Sequence, residues 1–121
     1  MTPAAGPMIG LDLGTSAIKG VLMAADGRIL RTASRHMVYD HPYPEHVECE
    51  AQQHWIETAA LIRELAAAAP QPVRAIALSG ASGNTLLADA AGNPLTPIIN
   101  WMDNRAVGAD LPALRGLTPE A

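Results

Sequence analysis

Phenylalanine is absent from the 121 residues, and aromatic side chains make up only 3% of them. A core must therefore be filled by Leu, Ile, Val, Met and Ala, and the hydrophobic share of 49% is enough for one small domain. Cys49 stands alone, which excludes an internal disulfide and fits a reducing compartment. Basic residues are scarce: eight Lys and Arg against twelve Asp and Glu leave a net charge of −4. That balance argues against a general binder of nucleic acid or of an anionic membrane. No apolar run is long enough to cross a bilayer. Met1 to Pro7 has neither the basic residue nor the apolar stretch of a secretory signal, so it reads as a short flexible leader before a domain over 8–121. Cytoplasm is the expected location. Two nucleotide signatures are also missing. There is no Gly-Lys-Ser/Thr triplet, which excludes a Walker-type loop, and no Gly-x-Gly-x-x-Gly after a strand.

What is present is concentrated in Ile9-Gly10-Leu11-Asp12-Leu13-Gly14-Thr15-Ser16-Ala17-Ile18-Lys19-Gly20. This is an apolar strand with one carboxylate, a Gly-Thr-Ser turn, and a second apolar strand entered through a lysine. An ionised aspartate in a buried strand is costly unless a metal, ordered water or a catalytic task compensates it. A glycine followed by two hydroxyl residues offers N–H groups and hydroxyls to an anion. Together they suggest Mg²⁺ and nucleotide phosphate. The plain alternative is a structural aspartate beside an ordinary turn.

Along the chain, Met8–Gly14 reads as a central strand apolar on both faces except at Asp12, and Ala17–Ala24 as a second strand. Asp26-Gly27 suits a two-residue type I′ hairpin, leading into a more polar third strand over Arg28–Val38. Tyr39–Glu50, with four acidic residues, two histidines and two prolines, reads as a loop. From Ala51 the period becomes helical, with Trp55, Ala59, Ile62, Leu65 or Ala66, and Ala69 on one face, ending before Pro70 and Pro72. Val73–Ser79 is predicted as another buried strand and Gly80–Gly83 as a turn. Thr85–Ala88 and Pro97–Met102 are predicted as strands around a Gly92-Asn93-Pro94 turn, the second carrying Trp101. Asn104–Arg115 is predicted to be helical. The order is that of an α/β domain: a three-stranded antiparallel hairpin unit, a crossover helix and further strands.

The stretch from Ile9 to Leu30 resembles the first phosphate motif of the FGGY carbohydrate kinases, and three later stretches resemble that family in the same order. They are Val47 to Trp55 (an acidic lead into a helix), Ile76 to Asp89 (a strand and sugar-facing loop), and Pro97 to Ala106 with its Trp-x-Asp-x-Arg. The resemblance implies the ribonuclease H-like fold shared by actin, Hsp70 and hexokinase-type ATPases, in the form of part of an N-terminal domain. It implies ATP and Mg²⁺ as cofactors, with Asp12 holding the metal through its water shell. Gly14, Thr15 and Ser16, with Ala17, would line the phosphates, and Lys19 would oppose their charge. Gly80, Ala81 and Ser82 would face the sugar, with Trp101 stacking on its apolar face and Asp103 accepting its hydroxyls. For Trp101 and Arg105, core packing and a surface ion pair are the equally open alternative. Xylulokinase-like members carry Met-His at the sugar-facing loop and glycerol kinases Arg-Glu. Here Ala-Ser leaves room and few fixed donors, so a ketopentose such as xylulose, a polyol and a sugar acid all stay in view.

Phosphoryl transfer also needs a base for the attacking hydroxyl. In the family it is an aspartate well downstream, so the expectation is a kinase segment inactive by itself. The competing expectation is a non-catalytic actin-like module for binding or assembly, for which an unfinished sheet edge would favour a homodimer. Two other clusters point elsewhere only weakly. Asp40, His41, His46, Cys49 and His54 lack the paired short spacing of zinc ligands. Ser79 to Gly83 lacks the Gly-x-Ser-x-Gly spacing of a nucleophile elbow.

Overall fold

The computed structural model describes residues 6–108. Its centre is a mixed four-stranded sheet of β1 (Met8–Leu13), β2 (Ala17–Met23), β3 (Ile29–His36) and β5 (Ala75–Gly80), in the order β3-β2-β1-β5. The β1–β2 and β2–β3 pairs are antiparallel hairpins, while β1 and β5 run parallel. A parallel pair cannot be closed by a tight turn. The crossover is made by α1 (Ala51–Ala67), which follows a two-residue strand β4 (Glu48–Cys49). β4 pairs in turn with β6 (Ile98–Ile99) in a small second sheet.

One face of the sheet forms the core. Ile9 and Leu11 of β1 and Ile18 and Leu22 of β2 point at Leu61 and Leu65 of α1, all but fully buried. Gly20 makes the approach of helix to sheet possible. A Cβ there would stand 2.6 Å from Leu65 Cδ1 and 3.2 Å from Leu61 Cδ2. The opposite face, with Gly10, Asp12, Lys19, Thr32, Ser34 and Ser79 among its residues, lines an open groove of about 730 Å³. β1 is thus half-buried, with period-2 alternation, where an apolar reading had suggested burial on both sides.

The helix starts and stops where expected. Glu50 caps its N-terminus by accepting from Gln53 N, and Ala68 ends it just ahead of Pro70. Its buried stripe, however, is Ala51, Thr58, Leu61 and Leu65, and Trp55 is 60% exposed. The stripe is rotated because Leu61 and Leu65 seat over Gly20, while Glu57 and Glu64 reach Arg35 and Arg31 of β3. The buried Thr58 hydroxyl is satisfied by donating to the His54 carbonyl at 2.8 Å.

Other boundaries shift for local reasons. The β2–β3 hairpin is not type I′: only Gly27 has positive φ (+88°), and its N–H donates to Ala24 O at 3.0 Å. Ala25 and Asp26 therefore form a type I turn closed by a left-handed glycine, a three-residue loop. β3 is shorter than expected, and the acidic loop contains β4. β5 begins at Ala75 and is exposed throughout, because α1 lies over β1 to β3 and leaves Ile76 and Leu78 at its flank 49% and 67% exposed. The stretch 85–88 is no strand. Isolated pairings such as Thr85 with Ile99 replace it, since Pro94 and Pro97 have no N–H to extend a ladder. Trp101 lies in a turn after β6, and residues 105–108 form a further turn. The rest of the helix expected to Arg115 lies outside the described residues. Gly6 and Pro7, assigned to the leader, are packed: Pro7 is buried and its carbonyl accepts Arg74 N–H at 2.8 Å.

Candidate functional site

The carboxyl ends of the parallel strands β1 and β5 lie side by side, with Asp12 opposite Ser79 and Leu13 opposite Gly80. In open α/β sheets such ends are where ligands bind. Asp12 is exposed at the end of β1, and Lys19 is its register partner on β2. Gly14 lets the turn fold back over that carboxylate. A Cβ on it would stand 3.0 Å from Ala17 O and 3.4 Å from Asp12 Oδ2. The turn is fixed from outside, since Ser16 O accepts the N–H of Met37 at 3.0 Å. An exposed carboxylate with no hydrogen bond or ion pair among the described residues, beside a glycine cradle and across from a lysine, fits a hydrated divalent cation and phosphate.

The loop after β5 is stitched to the same place. Ala81 N–H donates to Leu13 O at 3.1 Å, and a Cβ at Gly80 would stand 3.2 Å from that same oxygen. Ala81 is half-buried and Ser82 exposed. Trp101 reaches both segments. Its backbone N–H donates to Asn84 Oδ1 at 3.0 Å and its indole N–H to Thr15 Oγ1 at 2.9 Å. Gly83, at φ +84°, lets the loop pass: a Cβ there would stand 3.2 Å from Trp101 Cβ. Trp101 is 56% exposed, so it is not a core residue. Asn84 carried no expectation from the sequence. Its only signal was the Gly83-Asn84 pair after a strand, a usual place for a side chain that bonds backbone.

Asp103 and Arg105 do something other than face a ligand. The Asp103 carboxylate, 3% exposed, accepts Val47 N–H at 2.7 Å, Arg105 N–H at 3.0 Å, and the Arg105 guanidinium at 2.8 and 2.7 Å. Four donors use the lone pairs of both oxygens. Asp103 was expected to accept sugar hydroxyls, and in this structure those positions are taken. The hydrogen bonds from Arg105 hold its carboxyl far below the usual carboxylate range. Arg105 also bonds Glu48 Oε1 at 3.1 Å, so the pair clasps β4 to the turn after Trp101. Arg105 is the ion pair that one reading of the sequence anticipated.

Among the described residues no three His, Cys, Asp or Glu are arranged to hold an ion. His41 Nδ1 lies 3.0 Å from His46 O, and Cys49 is buried, its thiol pushed up by that burial. Nor is any helix among the described residues long and apolar enough to cross a membrane.

The sequence pattern of the FGGY family of carbohydrate kinases, N-terminal domain, matches residues 7–110. The xylulose kinase of Escherichia coli K12 is 31% identical over 98 residues, 80% of this chain and 20% of its own length. The glycerol kinase of Geobacter sp. M21 is 34% identical over 102 residues, 81% and 21% respectively. Among solved structures, the xylulose kinase from Rhodospirillum rubrum superposes with a TM-score of 0.79 at 28% identity, covering 93% of this chain and 24% of that one. The chain spans about a fifth of the length of the curated relatives it matches. The mixed sheet with its crossover helix is thus the expected actin-type ATPase fold. The chain belongs to the FGGY carbohydrate kinases.

Proposed function

We propose that the protein serves an ATP-dependent kinase that phosphorylates a sugar hydroxyl, with a ketopentose such as xylulose as first candidate and a polyol or sugar acid behind it. The supporting observation is convergence. The Asp12–Ser16 turn, the Gly80–Ser82 loop and Trp101 meet at one end of β1 and β5, joined by the Ala81–Leu13 and Trp101–Thr15 hydrogen bonds. In this reading Asp12 holds hydrated Mg²⁺, Gly14, Thr15 and Ser16 face the phosphates, and Lys19 offsets their charge. Bound MgATP supplies the phosphoryl group; this chain contributes positioning and charge. The exposed Trp101 takes the apolar side of the sugar, over a loop whose Ala81 and Ser82 impose little shape. Relatives named xylulose kinase and glycerol kinase support the acceptor class.

In this reading the base lies outside the described residues. Asp12 is committed to the metal, and Asp103 is spent on Arg105 and Val47. We therefore expect the 121 residues alone to bind ligands without turnover, in a cytoplasmic enzyme. Sugar-dependent ADP formation by the purified 121-residue chain would refute that expectation. A thermal-shift panel of ketoses, polyols and aldonic acids on the protein expressed over its full reading frame tests the substrate class. A response confined to non-carbohydrates would sink the kinase reading. The exposed edge of β5 favours one further reading, an actin-like assembly module with a homodimer as partner. Sedimentation decides this one: a monomer at all concentrations removes it.

A further inference from the structure

The Thr15–Trp101 hydrogen bond joins residues 86 positions apart and ties the phosphate turn to the acceptor corner. Its direction is fixed by chemistry. An indole N–H can only donate, so Thr15 Oγ1 accepts there at 2.9 Å. A threonine hydroxyl has one proton and two lone pairs. With one lone pair occupied by Trp101, the proton is left for another acceptor, and no other residue among those described takes it. Trp101 itself is not free to drift. Asn84 Oδ1 holds its backbone N–H, and Asn100, 2% exposed, holds the next residue through Met102 N–H to Oδ1 at 2.9 Å. The indole is thus a braced donor aimed at the turn, on a residue that is still 56% exposed.

We infer that Trp101 is a positioning residue for Thr15: its N–H orients the Thr15 hydroxyl as a donor to a phosphate oxygen, and so couples order at the acceptor corner to nucleotide binding. The inference rests on the reading of residues 12–19 as a phosphate turn. Its consequence is reciprocal, because a ligand that steadies the Trp101 ring tightens phosphate binding and phosphate tightens that ligand's binding by the same factor.

The test is a double-mutant cycle on the protein expressed over its full reading frame, with MgADP as probe in calorimetric titrations. Trp101→Phe keeps an aromatic face and removes the N–H, and should weaken MgADP roughly 2- to 10-fold, the range of one neutral hydrogen bond. Thr15→Val should weaken it at least as much, and the double variant no more than Thr15→Val alone. Thr15→Ser, which keeps the hydroxyl, should bind like the parent. If phenylalanine unsettles the corner, 3-benzothienylalanine at position 101 keeps the ring shape with sulfur in place of N–H and should show the same loss. Should Thr15→Val weaken MgADP while both Trp101 replacements leave it unchanged, or should the losses add, the positioning role is overturned and the phosphate turn stands. Unchanged binding by Thr15→Val would overturn both.

Discussion

Asp12 and Lys19 stand opposite each other in the β1–β2 pair, both exposed, and do not close into an ion pair. Cross-strand opposite charges usually gain a few tenths of a kcal/mol by meeting. Here each instead borders the groove on the uncovered face of the sheet, beside the Gly14 turn. Two opposite charges kept apart at the rim of a cradle can engage a cation and an anion at once.

Asp12→Asn should therefore leave the fold alone and damage ligand binding. An exposed substitution away from packing changes stability by no more than about 0.5 kcal/mol. Mg²⁺-dependent ADP affinity should fall by roughly tenfold or more, as for loss of one charged contact. Calorimetry with and without Mg²⁺ reads both, and an unchanged Mg²⁺ dependence would count against the metal role.

Gly20→Ala should do the reverse. The new methyl would lie 2.6 Å from Leu65 Cδ1 and 3.0 Å from Leu11 Cδ2. Both side chains are buried, so neither can swing away freely. A cost of about 1–3 kcal/mol is expected from overpacking. Urea unfolding measures it, and MgADP affinity should be untouched where the protein stays folded. A neutral result would mean that α1 can shift off β2.

Sequence reasoning succeeded where the signal is local and periodic. Ile9, Leu11, Ile18 and Leu22 announce two strands, though not that β1 is covered on one face only, and Pro70 and Pro72 stop the helix. Asp12, Gly14, Thr15 and Trp101 were singled out by motif and spacing, and the structure brings the Gly14 turn and Trp101 together. The failures concern tertiary choices. Which stripe of α1 faces inward was decided by the notch at Gly20 and by Arg31 and Arg35 on a distant strand, which no helical period contains. The role of Asp103 was hidden for the same reason. Its partner Val47, and the Glu48 that Arg105 also bonds, lie in a segment that reads as a loop.

The Asp103 clasp should make the molecule depend on pH in the acid range. Hydrogen bonds from Arg105 lower its carboxyl in the folded state, so the unfolded state binds the proton first. The stabilisation is complete above the unfolded value of about 4 and is lost as pH falls from there toward the folded value. Asp103→Asn should be less stable than the parent at pH 7, with the gap narrowing below about pH 4. Urea midpoints at pH 7, 4 and 3 check this, and a gap that stays constant would show that the charge is not what matters.

His54 should set a second, separate dependence at milder pH. It lies on the inner side of α1 between the buried Ala51 and Thr58, beside Leu13, Leu78 and Ile98 on one side and His36, Glu50 and Glu57 on the other. Burial disfavours the charged ring and lowers its folded value below the ordinary 6.5. The unfolded chain thus takes up the proton first, and stability present above about pH 6.5 declines as the pH falls through that value toward the folded one. His54→Leu removes the titration and should flatten the unfolding midpoint between pH 7.5 and 5.5, while the parent loses stability over the same interval. A parent midpoint that holds steady across that interval would mean that protonated His54 finds compensation from Glu50 or Glu57 in the folded protein.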